Sequence, residues 1–291
     1  MPTARGGVAV IVAMTVTLTA SSAAAQGKSN PPGHSGTHPH PAEPLSSGPA
    51  ASSSRVMYLG SWLDDATLLG TGNIAMSISA AFWASPGTHQ LDLPIVAAIV
   101  GARRRFDVGI GAPVSRVTDG SGAQISGVGQ VFVYGKLALT NPASAGRHVG
   151  LAFSPVVQIT SGTWDPTGTS QVGIALPLNL ELRGGPCRVY GSVGYFSRGA
   201  TFATGALEVA TSRSLVLTGT LGYTASTAAA VSALDVSRSR TDTSFAATVR
   251  VSPRAALAAS VGRSRATAGD PSAAVTSYWV SGGVTFLLAR R

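Results

Sequence analysis

Charge is scarce in this chain. Asp, Glu, Lys and Arg make up 11% of its 291 residues, against about 25% in an ordinary soluble domain. A water-exposed fold of this size needs more charge on its outside. Lysine is almost absent: Lys28 and Lys136 are the two among 21 basic residues, for a formal net charge of +9. The single cysteine, Cys187, excludes an intramolecular disulfide framework. Long apolar runs are missing too, since no segment past residue 25 approaches the roughly 18 residues of a membrane-spanning helix. No Ser, His and acidic residues fall into a pattern that would assemble a nucleophile with its base, so the expectation is not an enzyme. No cofactor motif stands out, and nothing points to nucleic acid.

What the chain does have is alternation. From Val149 to Ile159 and again from Val172 to Leu182, every second residue is apolar, and a turn rich in Gly, Asp and Pro separates the two runs. Period two on both sides of a turn is a long β-hairpin. The same reading continues along the chain and predicts twelve strands, near 73–84, 91–102, 106–117, 128–140, 148–160, 171–183, 188–198, 201–211, 214–225, 241–252, 254–265 and 274–288. The segments 91–102 and 254–265 alternate less cleanly, and Pro155 and Pro177 interrupt the hairpin by deleting ladder donors.

The connections sort by parity. Those near 102–105, 141–147, 183–187, 212–214 and Pro253 are short. Those at 85–90, 118–127, 161–170, 226–240 and 267–273 are longer, with a tight exception at Gly199-Ala200. Short turns at one end, longer loops at the other and an even strand number are features of outer-membrane barrels. One strand face carries Leu, Val, Ile and aromatics without charge. The other carries mostly Gly, Ala, Ser, Thr, Asn and Gln, which suit a confined lumen better than a solvated outer surface. Parity turns Phe82, Phe106, Phe153, Tyr195, Tyr223, Phe245, Tyr278 and Phe286 outward, in the manner of an aromatic girdle. The expected fold is therefore all-β: a closed antiparallel transmembrane β-barrel of about 12 strands, roughly 23 Å across.

The chain's start suggests export. Arg5, the apolar run Val8–Ala20 and Ala23-Ala24-Ala25 have the build of a signal peptide over residues 1–25. Residues 26–57, rich in Pro, Ser and His, read as a disordered periplasmic leader. Residues 58–72 read as a lead-in to the first strand or a small plug, and 73–291 as the barrel. The expected location is the bacterial outer membrane, with leader and C-terminus in the periplasm. Membrane lipid, the barrel-assembly machinery and a small solute are the expected partners.

Three stretches together resemble the outer-membrane proteins of the MetA-pathway (phenol-degradation) transporter-like family. They are FDVGIGAPV with Gly111-Ala112-Pro113-Val114, then GVGQVFVYGKLAL with Gly127-Val128-Gly129 and Lys136, then the hairpin around DPTGT. Gln130 stands where that family has Asp. The resemblance spans about residues 59–200 and implies a barrel for uptake of small, often hydrophobic molecules.

Candidate functional residues follow from parity. Gln130, Tyr134, Lys136, Glu181, Arg188, Glu208 and Arg250 are expected to line the lumen, with Lys136 paired to Glu181 or Glu208 across the wall. If such charges stay unpaired, the lining favours anions. His34, His38 and His40 are weak metal candidates, lacking carboxylate or thiol partners in a fixed geometry. The functional expectation is a passive channel or transporter for small solutes, hydrophobic or anionic. The alternative is a closed structural or surface-recognition barrel acting through its external loops.

Overall fold

The computed structural model describes residues 64–140, 149–160, 171–197, 199–227, 238–267 and 274–288. The segments expected to be a signal peptide and a leader, with His34, His38 and His40, lie outside them. Strand segments follow one another without helices among these residues: β1 (Ile74–Ser85), β2 (Thr88–Arg103), β3 (Phe106–Asp119), β4 (Gln124–Val128), β5 (Val131–Ala138), β6 (Val149–Phe153), β7 (Val156–Thr160), β8 (Gln171–Gly184), β9 (Cys187–Phe196), β10 (Ala200–Ala210), β11 (Leu215–Ser226), β12 (Ser239–Ser252), β13 (Ala255–Thr267) and β14 (Val275–Leu288).

Two pairs of segments are halves of single staves. β3 pairs with both β4 and β5, and β8 pairs with both β6 and β7. Fourteen segments less two breaks give twelve staves. β1 pairs with β14 from Ile74↔Leu288 to Ala84↔Tyr278, so the antiparallel sheet closes on itself. The expected barrel is what the chain forms.

Each break has a local cause. Pro155 has no N–H to donate and lies between β6 and β7. There Ser154 N–H donates to the Pro177 carbonyl at 3.0 Å. Pro177 cannot return that bond, so the two positions share one hydrogen bond where an antiparallel pair usually exchanges two. The two prolines thus sit diagonally across one gap, Pro177 opposite Ser154 and Pro155 one pair further on. Register is unchanged on either side, at Phe153↔Leu178 and Val156↔Ala175, so neither proline makes a bulge. The other break is a bulge. Val114 faces Val128, but Gly111 faces Phe132, one residue out of step. Gln130, expected inside a continuous strand 128–140, sits in this bulge. Gly129 beside it has room only for hydrogen, because a Cβ there would lie 2.5 Å from Ser115 Oγ.

The connections correct the loop reading. β1 and β2 run through most of 85–90, leaving a two-residue turn at Pro86-Gly87 with Gly87 at φ 76°. β3 and β4 likewise shorten 118–127 to residues 120–123. Loop length therefore does not sort the two ends among the described residues. The start of β1 and the end of β14 do mark one end, which also carries the turns at Arg104-Arg105, Gly185-Pro186, residues 211–214 and Pro253-Arg254. The connections 141–148, 161–170, 228–237 and 268–273 lie outside the described residues.

Burial runs inside out. On β8, Val172, Ile174, Leu176, Leu178, Leu180 and Leu182 are exposed, while Gly173, Ala175, Pro177, Asn179 and Glu181 between them are buried. The outward aromatics Phe82, Phe106, Tyr195, Tyr223, Phe245, Tyr278 and Phe286 are exposed as well. A continuous apolar surface of this extent is foreign to soluble monomers. A closed barrel, with every central backbone donor paired along the staves, is what a sheet needs in hydrocarbon.

Candidate functional site

Residues 64–69 lie inside the barrel. The chain enters the lumenal end of β1 through two glycines in left-handed backbone, Gly70 at φ 85° and Gly72 at φ 81°. Gly72 N–H donates to the Gly101 carbonyl at 2.7 Å, and Gly101 N–H donates to the Asn73 carbonyl at 2.9 Å. Gly101 must be glycine for this approach, since a Cβ there would lie 1.8 Å from the Gly70 carbonyl oxygen.

Beyond this entry the segment is held as a strap against the wall. Lys136 on β5 donates from Nζ to Asp64 Oδ1 at 2.7 Å, to Asp65 Oδ1 at 2.9 Å and to the Thr67 carbonyl at 3.1 Å. Arg188 on β9 donates from Nη1 to Asp65 Oδ2 at 3.0 Å and from Nη2 to Glu208 on β10 at 2.9 Å. Its guanidinium lies 4.6 Å over the Tyr190 ring. Glu181 on β8 accepts from Ala66 N–H at 3.1 Å and Thr67 Oγ1 at 3.0 Å, and pairs with Arg183. Asp107 on β3 accepts from Leu69 N–H at 2.7 Å. Ser154 Oγ donates to Asp64 Oδ2 at 3.1 Å, and Ser192 Oγ accepts from Asp64 N–H at 3.0 Å. Four strand segments, β3, β5, β8 and β9, together with Ser154 in the break between β6 and β7, thus hold the strap.

Burying so many charges is costly unless each is paired and hydrogen-bonded. The strap meets that condition: Lys136, Asp65 and Glu181 are almost wholly buried and multiply bonded. The expected Lys136–Glu181 or Lys136–Glu208 pair is replaced. The Lys136 ammonium takes the strap carboxylates, while Arg183 and Arg188 serve the two wall glutamates. Counting this end of the lumen, Asp64, Asp65, Asp107, Glu181 and Glu208 face Lys136, Arg183 and Arg188. With Arg250 on the same side of the sheet, the bare wall carries one more cation than carboxylates, and the two strap carboxylates reverse that balance.

The remaining candidates are placed as follows. Tyr134 is buried on the lumenal side of β5, its ring lying flat over Gly109, where a Cβ would come within 2.2 Å of the ring. It clusters with Phe132, Val156, Ala175 and Phe202. Arg250 is half-buried on the lumenal parity of β12, and Gln130 is half-buried in the bulge. Beside the Tyr134 cluster an open cavity of about 120 Å³ is bounded by Tyr134, Ser79, Asp92, Ala97, Ser260 and Ser281, among others. Above it, Trp83 and Trp279 stack with centroids 6.2 Å apart.

Sequence reasoning missed three groups. Asp64 and Asp65 carried a signal for lumenal docking, as an acidic pair just before a barrel with cationic inward positions. Trp83 and Trp279 were legible by parity, because Phe82 and Tyr278 beside them point outward. Asp92 was hidden by a register shift between β1 and β2, where Ser79 faces Ile95 but Ala81 faces Asp92.

Apolar outside, polar and charged inside, closed on twelve staves: these features define a transmembrane β-barrel. No family model and no curated protein matches the chain, so the MetA-pathway resemblance rests on the motifs quoted above. Among solved structures, the KdgM porin aligns at TM-score 0.47 and 10% identity over 72% of this chain and 98% of that one. The CymD monoaromatic hydrocarbon channel aligns at 0.43 and 6% over 77% and 90%. An anion-selective porin from Comamonas acidovorans aligns at 0.36 and 7% over 74% and 98%. At these identities no residue correspondence is carried over.

Proposed function

We propose that this protein is a passive channel for small solutes in the bacterial outer membrane, narrowed at its inner mouth by the strap 64–69. The supporting observation is the lumen. It retains an open cavity beside its ion-paired wall, whereas the interior of a closed structural barrel is filled by side chains. The end carrying both barrel termini and the strap faces the periplasm in this reading, and the chain reaches the membrane through the barrel-assembly machinery. Because the strap adds two carboxylates, the inner mouth prefers small cations or neutral solutes while the strap is seated. The anion preference expected from the wall cations alone applies once it leaves.

Conductance of the purified full-length protein in planar bilayers tests this. Discrete channel events are expected, and larger ones in Lys136→Met, which frees the strap. If neither protein conducts in any salt, the channel reading fails. The closed barrel, favoured by the density of the strap's hydrogen bonds, would replace it.

A further inference from the structure

Two tryptophans stand together on the lumenal side near the end opposite the strap. Trp83 on β1 and Trp279 on β14 are direct cross-strand partners, stacked at 6.2 Å with 25° between their planes. Trp279 lies flat on the wall because its neighbour on β13 is Gly262, where a Cβ would sit 2.3 Å from the indole. Polar groups edge this aromatic surface. The Arg240 guanidinium reaches from β12 to within 5.4 Å of the Trp83 ring centre, and its Nε donates to Asp242 at 2.9 Å. Gln90 faces Trp83 across β2 and donates to Asp92 at 2.9 Å. Ser264 and Ser277 face each other two pairs beyond Gly262 and Trp279. The cavity begins immediately below, with Ser281 and Ser260 in its wall.

We infer that this surface is a binding subsite for a sugar ring, a deepening that rests on the channel reading above. An indole face attracts the weakly positive C–H groups of a pyranose, as it attracts the edge of another aromatic ring. A sugar also carries hydroxyls around its rim, and here the rim holds guanidinium donors, carboxylate acceptors and an amide that offers both. A purely apolar ring seated in the same place would desolvate Asp242, Arg240 and Asp92 without replacing their hydrogen bonds, which is unfavourable. Few polar groups precisely set around an aromatic surface are the build of a small-molecule site.

The test combines current and fluorescence on the full chain. Maltotriose, cellotriose and chitotriose are added to open channels, with phenol as the apolar comparison. At least one trisaccharide is expected to block saturably while phenol does not. Trp83→Ala and Trp279→Ala should each weaken that block at least roughly fivefold, with heat-modifiable gel mobility confirming a folded barrel. Gly262→Ala, which pushes the Trp279 ring off its seat, should weaken it while keeping both indoles. Channels that open but ignore all three sugars overturn the inference and leave the channel standing, as does block that survives both tryptophan variants. Block by phenol alone replaces the sugar with an apolar solute. If no channel opens, Trp62→Phe combined with Trp164→Phe leaves Trp83 and Trp279 as the remaining tryptophans. An emission change with sugar then supports the site, and a flat titration overturns it.

Discussion

Lys136 Nζ and the Asp65 carboxylate lie 2.9 Å apart across 71 positions of sequence, each no more than 2% exposed. An ammonium has three hydrogens, and here they meet three strap oxygens, from Asp64, Asp65 and the Thr67 carbonyl. Lys136 sits on the barrel wall, yet its bonding is spent on a segment that precedes the barrel. Its role is to hold that segment.

Lys136→Met should therefore release the strap and leave the barrel folded. Removing one partner of a buried pair costs about 3–5 kcal/mol when the other charge stays buried. Asp64 and Asp65 have an alternative, because a strap that swings out returns both to water. Limited proteolysis should cut between residues 58 and 72 faster in the variant, while heat-modifiable mobility stays as in the wild type. A barrel that melts earlier with no gain in strap cleavage would make the strap a structural part of the wall.

Selectivity should follow the strap's charge. At the strap end of the lumen five carboxylates face Lys136, Arg183 and Arg188, with Arg250 on the same side of the sheet. Asp64→Asn with Asp65→Asn leaves three carboxylates among the same cations. Reversal potentials in a salt gradient are expected to move from mild cation preference toward anions, and the shift should shrink at high ionic strength as screening grows. Unchanged potentials would place the current's narrowest point away from the strap.

Topology can be read with bulky maleimides that do not pass the outer membrane. Cys187 is exposed and must first be replaced by serine. In that background Ser121→Cys, in the turn between β3 and β4, should label on intact cells. Ser212→Cys, in the turn between β10 and β11, should label only after the outer membrane is opened. The reverse pattern would invert the barrel.

The barrel was legible because its signal is redundant. Period two repeats through twelve staves, and one clean hairpin such as 149–182 fixes which face is apolar. Where the reading slipped, the cause was local and silent in side-chain pattern. The bulge at Gly129-Gln130 and the shift opposite Leu93 each insert one residue, and one residue exchanges inside for outside. The turn at Pro86-Gly87 looked like a loop because Thr88–Gln90 carry polar side chains, although their backbone is strand. The strap was legible only as one of two alternatives for 58–72, the small plug, for a different reason. Residues 64–69 form no regular element, so no periodicity marks them, and their contacts with the wall join positions 38 to 128 residues away. Only a charge argument reaches that far, and it names the partners without choosing among them.

The lipid-facing assignment has the sharpest test, at Leu178. This residue lies midway along β8, exposed on the outer face, opposite Val193 on β9 and Phe153 on β6, which also point outward. In water, replacing one exposed leucine by arginine changes stability by about 0.5 kcal/mol or less. In hydrocarbon the same change at the bilayer midplane costs about 2–4 kcal/mol, and the cost fades toward the interfaces. Leu178→Arg should therefore lower the folded fraction in lipid vesicles by that amount in urea titrations. Leu182→Arg, close to the turn at Gly185-Pro186 and hence to the headgroups, should cost clearly less. The gradient between the two positions is the decisive reading. Equal, small effects would mean that the apolar face of β8 is covered by protein or water instead of lipid, and the transmembrane reading would fall with it.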